Sequence, residues 1–228
     1  MDKLKIGVLY LLLGAGGLWH VLGVFQGVMR VLAAPMMFSL AVWLLWECWR
    51  ICLQEERRKF VLWGVCVVVG SFGIEWLGVR TGQIFGAYTY GQTLRPSIDG
   101  VPICIGCAWF VMLVASVAVV QRIAPKSIVT SPVKLALCVA LLMVCFDLFM
   151  EPAAGILDYW VWVDNRIPLQ NYLAWFGLSF AFAVIGIKLG LFSQLSLSSK
   201  NLGPLPRIAF HFYFAQLVYF GLVDLKCL

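Results

Sequence analysis

The chain has 228 residues, of which 62% are hydrophobic and 12% are charged, and its formal net charge is +6. Soluble domains carry about 25% charged residues, so this composition excludes an ordinary soluble protein and indicates a membrane protein. The mean hydropathy of +0.93 agrees with that interpretation.

Apolar stretches long enough to cross a membrane, which takes about 20 residues, occupy most of the chain. We expect an all-α fold: a polytopic transmembrane helical bundle that forms a single integral membrane domain over residues 1–228. Seven spans are predicted, at 6–28, 31–53, 60–78, 103–121, 133–150, 172–190 and 207–225. Six or eight spans are the alternatives, because Pro35 lies early in the second span and His211 and Gln216 weaken the seventh.

The basic residues predict the orientation of this bundle. The first span is expected to be a retained helix rather than a signal peptide, because its apolar stretch continues through Val28 without a small-residue cleavage site. With a cytoplasmic N-terminus, twelve of the 17 Lys and Arg residues fall on the inner side, as the positive-inside rule predicts. The five on the outer side are Arg30, Arg80, Arg95, Arg166 and Lys226. The net charge is therefore a consequence of topology, and no nucleic-acid partner is expected.

The acids follow the opposite distribution. Most of those outside the inner loops fall at the outer side, namely Glu75, Asp99, Glu151, Asp158, Asp164 and Asp224. The outer half of the bundle is therefore predicted to be its polar, chemically equipped half.

Eight cysteines are present, most of them inside apolar segments, where a free Cys packs as a small hydrophobic residue. Cys104 and Cys107, in "CIGC", have the spacing of a metal or redox motif. A zinc site needs two further ligands, and the histidines available, His20 and His211, lie on remote spans. We predict packing rather than a metal site, and we expect "SQLSLSSKNLGP", residues 193–204, to be an inner linker.

Ionisable residues inside a membrane are costly, so each one suggests a functional site. The first concentration is "EWLGVRTGQIFGAYTYG", residues 75–91, which places Glu75 at the outer end of an apolar helix and follows it with a Gly- and Tyr-rich loop. Tyr88 and Tyr90 are amphipathic rings suited to the membrane interface, and Arg80 is predicted to pair with Glu75 or with another outer acid. The alternative is an ordinary interfacial loop with an aromatic belt.

The second concentration is "FDLFMEPAAGILDYWVWVDNRIPLQNYLAWF". Asp147 and Glu151 are four residues apart, which places both carboxyl groups on one helix face, before an exit or a kink at Pro152. Two acids this close cannot both ionise cheaply, so one is expected to keep its proton and the pair to supply an acid and a base. The alternative is that they only bridge helices. Trp160 and Trp162 are interpreted as interfacial anchors or as the wall of an apolar pocket.

Several blocks of the chain resemble the signature blocks of the CruF-type carotenoid hydratase family of membrane proteins. These blocks are "EWLGVRTGQIFGAYTYG", "GVPICIGCAWF", Asp147 with "EP", "YWVW" and "IPLQNYLAWF", which together span residues 75–175. Three features depart from the family pattern. Glu151 replaces the Asp of an Asp-Pro pair, Ala174 replaces a Gly, and the segment before Pro168 lacks a Tyr-Gly pair. These differences reshape the predicted pocket and bear on which carotenoid it accepts.

The resemblance implies a carotenoid 1,2-hydratase, which adds water to the terminal C1–C2 double bond of an acyclic carotenoid end and gives a tertiary alcohol. Protonation of this alkene needs an acid, and Glu75, Asp147 and Glu151 are the candidate catalytic residues. The candidates for binding the substrate, stabilising its cation or orienting the water are Trp76, Arg80, Tyr88, Trp109, Asn171 and Trp175.

The expected partners are a lycopene-like or monocyclic carotenoid, water, the lipid bilayer and other membrane enzymes of the carotenoid pathway. No metal or organic cofactor is expected, and the location implied is a bacterial inner membrane crossed several times. Three rival hypotheses stand beside this one: another acid-initiated isoprenoid enzyme such as an end-group cyclase, a small proton-coupled transporter, and a non-catalytic protein that passes carotenoid to another enzyme.

Overall fold

A computed structural model of the chain describes residues 2–52, 54–192 and 205–227. In these residues the helices are α1 Asp2–Leu22, α2 Gln26–Ile51, α3 Gln54–Thr81, α4 Ile105–Ile123, α5 Lys126–Val129, α6 Pro132–Ile156, α7 Leu169–Lys188 and α8 Arg207–Asp224. The strands are β1 Tyr88–Tyr90, β2 Ser97–Ile98, β3 Val101–Pro102 and β4 Trp160–Trp162. The predicted inner linker, residues 193–204, lies outside the described residues.

The predicted all-α bundle is confirmed. Six of the described helices, α1, α2, α3, α4, α6 and α7, are long and apolar enough to cross a membrane. The last helix, α8, has 18 residues and is not one of these six, so the seventh span stays a prediction.

The helix ends differ from the predicted bounds by up to six residues, and the differences around residue 25 and after residue 150 have a clear physical cause. The first span was expected to reach residue 28, but α1 ends at Leu22 and α2 starts at Gln26. Gly23, with φ +68°, and Phe25, with φ 55°, form a left-handed turn between them, which leaves Arg30 inside α2. The fifth predicted span ended at residue 150, whereas α6 continues through Pro152 to Ile156, because a proline in a membrane helix removes one backbone hydrogen bond without ending the helix.

The helix α4 is the centre of the bundle. Nearly all its residues from Ile105 to Val120 are buried, as expected of a helix that is apolar on every side, and it contacts α2, α3, α6, α7 and α8. Around it, α1 packs along α8 and α6 along α7. At Gly17 a Cβ atom would lie 2.9 Å from the Leu222 side chain, so this glycine permits the close approach of α1 and α8.

The loops at residues 82–104 and 157–168 emerge from the same end of the bundle and pair with each other through β1 and β4. The strands are antiparallel, with Tyr88 opposite Trp162 and Tyr90 opposite Trp160. Side chains alternate between the two faces of a strand, so these four aromatic residues share the face toward the bundle while the residues between them are exposed. This ribbon closes one end of the bundle.

Candidate active site

Beneath the β1–β4 ribbon lies a small cavity of about 40 Å³, which we call the carboxylate cavity. Its walls come from α2, α3, α4, α6, α7 and the two paired loops. The lining residues that matter below are Glu75, Tyr88, Tyr90, Trp109, Glu151, Trp160, Trp162, Asn171 and Trp175. Acids, aromatic donors and flat apolar rings thus meet in one space, at the end of the bundle where the sequence predicted the polar half.

Glu75 is buried and receives hydrogen bonds at both carboxylate oxygens. Tyr88 donates to Oε2 at 2.5 Å, Tyr90 donates to the same oxygen at 2.9 Å, and the Trp109 indole donates to Oε1 at 3.0 Å. An ionised carboxylate can only accept hydrogen bonds, so every partner of Glu75 suits its charged form.

The two tyrosines are held as donors by their surroundings. Burial first, and then the nearby negative charge of Glu75, raise the pKa of the Tyr88 and Tyr90 hydroxyl groups above the usual value. Both hydroxyls therefore keep their protons and continue to donate to Glu75.

Glu151 is held in a similar way by neutral donors. The indoles of Trp160 and Trp162 donate to its Oε2 at 3.1 and 2.8 Å, and the Asn171 amide lies 3.3 Å from Oε1. Trp160 and Trp162 come from β4, so the ribbon supplies donors to Glu75 through one strand and to Glu151 through the other.

Asp147 lies one helical turn before Glu151 and is completely buried. Asn171 donates to its Oδ2 at 2.7 Å, while Oδ1 has no hydrogen-bond partner within the described part of the chain. One amide thus bridges the two carboxyl groups that the sequence placed on one helix face. Asn171 itself lies in the first turn of α7. This helix starts directly after Pro168, and a proline is well suited to a helix start. Among the described residues that line the carboxylate cavity, Glu151 is present and Asp147 is not.

Trp109 and Trp175 form the flat wall of the cavity. Their rings stack 4.2 Å apart with an interplanar angle of 23°, and both line the cavity. The negative face of an aromatic ring attracts cations, so this wall suits a positively charged carbon beside it.

The structure does not bring Trp76 and Arg80 into the cavity. On α3, Trp76 and Arg80 are turned by about 100° and 140° from Glu75, which faces the interior. Trp76 donates to Asp99 Oδ2 at 3.0 Å, and Arg80 lies 3.3 Å from the same oxygen and 4.7 Å above the Trp76 ring. Of the two partners predicted for Arg80, an outer acid is the one observed. Both residues thus belong to an exposed cluster with Asp99, and their contact with substrate stays a prediction.

Tyr90, Trp160 and Trp162 were not predicted as site residues. Tyr90 was interpreted as an interfacial ring, and Trp160 and Trp162 as interfacial anchors or as the wall of an apolar pocket. All three line the cavity, and each also donates directly to a buried carboxylate. The available signal was the alternation in "YTY" and "WVW", which is typical of short strands with one buried face.

The "CIGC" segment has the character of packing. The Cys104 thiol lies 3.6 Å from the Leu94 carbonyl oxygen, and burial raises its pKa to about 12. A thiol that stays protonated is a poor nucleophile and a poor metal ligand. Among the residues that the structure describes, no group of three or more His, Cys, Asp and Glu side chains is arranged to hold a metal ion.

Fold and cavity together define a multi-pass membrane protein with a cluster of buried acids at one end. The family model for carotenoid biosynthesis proteins matches residues 23–226, and the chain belongs to this family. A relative is the bisanhydrobacterioruberin hydratase of Haloarcula japonica, 31% identical over 127 residues. That match covers 54% of this chain and 42% of the relative, so the chain spans under half of the curated protein it matches. No solved structure matches the chain.

Proposed function

We propose that this protein is a carotenoid 1,2-hydratase, which adds water to the terminal C1–C2 double bond of an acyclic carotenoid end group and gives a tertiary alcohol. The observation that carries the proposal is that Glu75 and Glu151, two buried carboxyl groups with separate sets of donors, line one aromatic cavity. Membership in the carotenoid biosynthesis family and the hydratase name of the relative support it.

The proton comes from the Asp147–Glu151 pair. Two carboxyl groups bridged by one amide hold a proton between them, because ionising both in an apolar setting is costly. Glu151 delivers it, since Glu151 lines the cavity and Asp147 lies behind it. The proton adds to the less substituted alkene carbon, the π bond breaks, and a tertiary cation forms.

The cation is stabilised by the Trp109–Trp175 wall and by the negative charge left on the carboxylates. A water oxygen then bonds to the cationic carbon, and Glu75 accepts the proton that this water loses. Transfer of that proton from Glu75 back to the Asp147–Glu151 pair restores the enzyme. The sum of the steps is the addition of one water, with no oxidation or reduction.

The chemistry needs a site where a lipid-soluble alkene meets water. A lycopene-like or monocyclic carotenoid enters from the bilayer, and water enters from the interface above the ribbon. The location we propose is a bacterial inner membrane, where other membrane enzymes of the carotenoid pathway supply the substrate and take the product.

The test is a pigment analysis in a bacterial host that accumulates lycopene, with chromatography and mass spectrometry. The expected result is a more polar pigment heavier by one water, lost in Glu75→Gln and Glu151→Gln variants that reach the membrane in normal amounts. Glu55→Gln is the matched control, because Glu55 is exposed in the first turn of α3 at the opposite end of the bundle. A product of unchanged mass would instead indicate cyclisation, and full activity in both site variants would remove the proposed mechanism.

A further inference from the structure

A second, larger cavity of about 480 Å³ lies between α1, α2 and α8; we call it the lateral groove. Its lining is almost entirely apolar and includes Leu12, Ala15, Met29, Ala33, Met36 and Phe220. The helices α1 and α2 contact each other little, whereas α1 packs closely on α8 and α2 contacts α4, so the groove is the gap that remains between two pairs of helices.

The lateral groove adjoins the carboxylate cavity. Met37 and Tyr159 line both spaces, so these two side chains form the boundary between them. At its other side the groove opens toward the surroundings of the bundle, where the lining residues Leu11 and Leu32 are 70% and 43% exposed. On a chain in a membrane these side chains face lipid.

The dimensions suit an extended chain. The lining on α1 runs from Leu11 to Trp19, which corresponds to about 12 Å along the helix axis. That is under half of the roughly 30 Å of a bilayer's hydrocarbon core. The groove therefore accommodates one part of a long apolar molecule, with the rest in the lipid.

We propose that the lateral groove binds the polyene chain of the carotenoid and guides its end group past Met37 and Tyr159 into the carboxylate cavity; this inference rests on the proposed function. The occupant is a linear apolar chain rather than a protein helix, because the groove is apolar and lies directly beside a cavity lined by acids. Flexible methionines line it, and such side chains adapt to an apolar ligand without fixed polar contacts.

The experiment fills the groove from two walls. Ala33→Trp on α2 and Ala15→Trp on α1 place a large ring in it, while Ala181→Trp makes the same change on the exposed side of α7 and serves as control. Each substitution is introduced into the wild-type sequence and into the Glu151→Gln variant, and all the proteins are purified. The readouts are kcat/KM for lycopene and, in the Glu151→Gln background, lycopene bound per protein by absorbance.

A large ring in the groove takes up the space proposed for the polyene chain. Each groove variant is therefore expected to lower both kcat/KM and bound lycopene by about tenfold or more, whereas Ala181→Trp should leave both unchanged. Substitutions are made on two walls so that, if one variant fails to fold, the variant on the other wall still tests the proposal. Unchanged lycopene binding in a folded groove variant overturns the proposal. If such a variant binds lycopene as before but loses co-purified phospholipid, the groove is a lipid site and the proposal is again overturned. If the groove variants lose lycopene binding but the wild-type protein does not hydrate lycopene, the proposed function is rejected while the proposal for the groove is retained.

Discussion

Glu75 and Glu151 are surrounded by hydroxyl, indole and amide donors that carry no charge. A paired arginine would neutralise a carboxylate, whereas neutral donors satisfy its lone pairs and leave its charge in the cavity, at Glu75 before the reaction and at Glu151 once it has given up the proton. In a low-dielectric space this charge strongly favours a cation beside it. The choice of donors at each residue therefore fits a reaction that passes through a carbocation.

Removing one donor from Glu75 tests this view. Tyr88→Phe and Tyr90→Phe keep the rings but lose the hydroxyl groups, and a hydrogen bond to a charged group contributes about 1.5–3 kcal/mol. We expect each to lower the initial rate of hydration by about tenfold to a hundredfold, measured in isolated membranes. Thr89→Ala, on the exposed face of the same strand, is the control and should retain activity. Equal rates for all three would show that the hydroxyls do not support the reaction.

Asp147 and Glu151 are expected to respond differently to the loss of their acidity. Glu151→Gln removes the group that lines the cavity, and loss of a general acid lowers rates by about a hundredfold to ten-thousandfold. Asp147→Asn leaves that acid in place and should lower kcat by a smaller factor, with KM for lycopene close to that of the parent. The two rate constants are compared in the same detergent preparation. A larger loss in Asp147→Asn would make Asp147 the donor.

At the scale of elements, helices position the acids and two of their donors, Trp109 and Asn171, while the strand pair positions the tyrosine and tryptophan donors of the ribbon. The helical half of this arrangement was predictable, because Glu75, Asp147 and Glu151 are acids inside apolar segments and a fixed helical period assigns their faces. The ribbon was not, since β1 and β4 lie far apart in sequence and no local pattern records which strands pair.

The rest of the site divides along the same line. Tyr88, Trp109, Asn171 and Trp175 were identified through the family resemblance, and all line the cavity. Trp76 was a candidate as an aromatic ring for stabilising the cation, but it directly follows Glu75, and neighbours on a helix point in different directions. Positions set by tertiary pairing or by helix rotation thus required the structure.

The contact between α3 and α4 sets the place of Trp109, and Gly106 controls that contact. A Cβ atom at Gly106 would collide with the Val68 backbone carbonyl oxygen, which cannot move aside cheaply. Gly106→Ala is expected to cost about 1–3 kcal/mol, seen as a lower thermal stability in detergent together with reduced hydration. Gly73→Ala, where a Cβ meets nothing within 4 Å, should keep stability or improve it. Equal thermal stability of both variants would show that α3 and α4 can move apart at Gly106 without loss of stability.

At the scale of the whole molecule, the proposed site lies between two environments, the bilayer and the water at the membrane interface. The bilayer supplies the alkene along the groove, and the interface at the ribbon supplies water. Because the ribbon end carries the predicted outer acids and the opposite end most basic residues, the proposed topology of seven spans with a cytoplasmic N-terminus places the reaction at the outer surface.

This orientation is testable by labelling cysteines in intact bacterial cells with a membrane-impermeant maleimide. Asp164→Cys lies exposed in the loop beside β4, and Arg58→Cys lies exposed near the start of α3. Both are made in a Cys227→Ser chain, because Cys227 lies in the turn after α8, while exposed Cys66 and Cys145 lie within apolar helices. We expect the first variant to be labelled in intact cells and the second only after lysis, since charged loops rich in Lys and Arg stay inside. The reverse pattern would place the ribbon and its water supply on the cytoplasmic side.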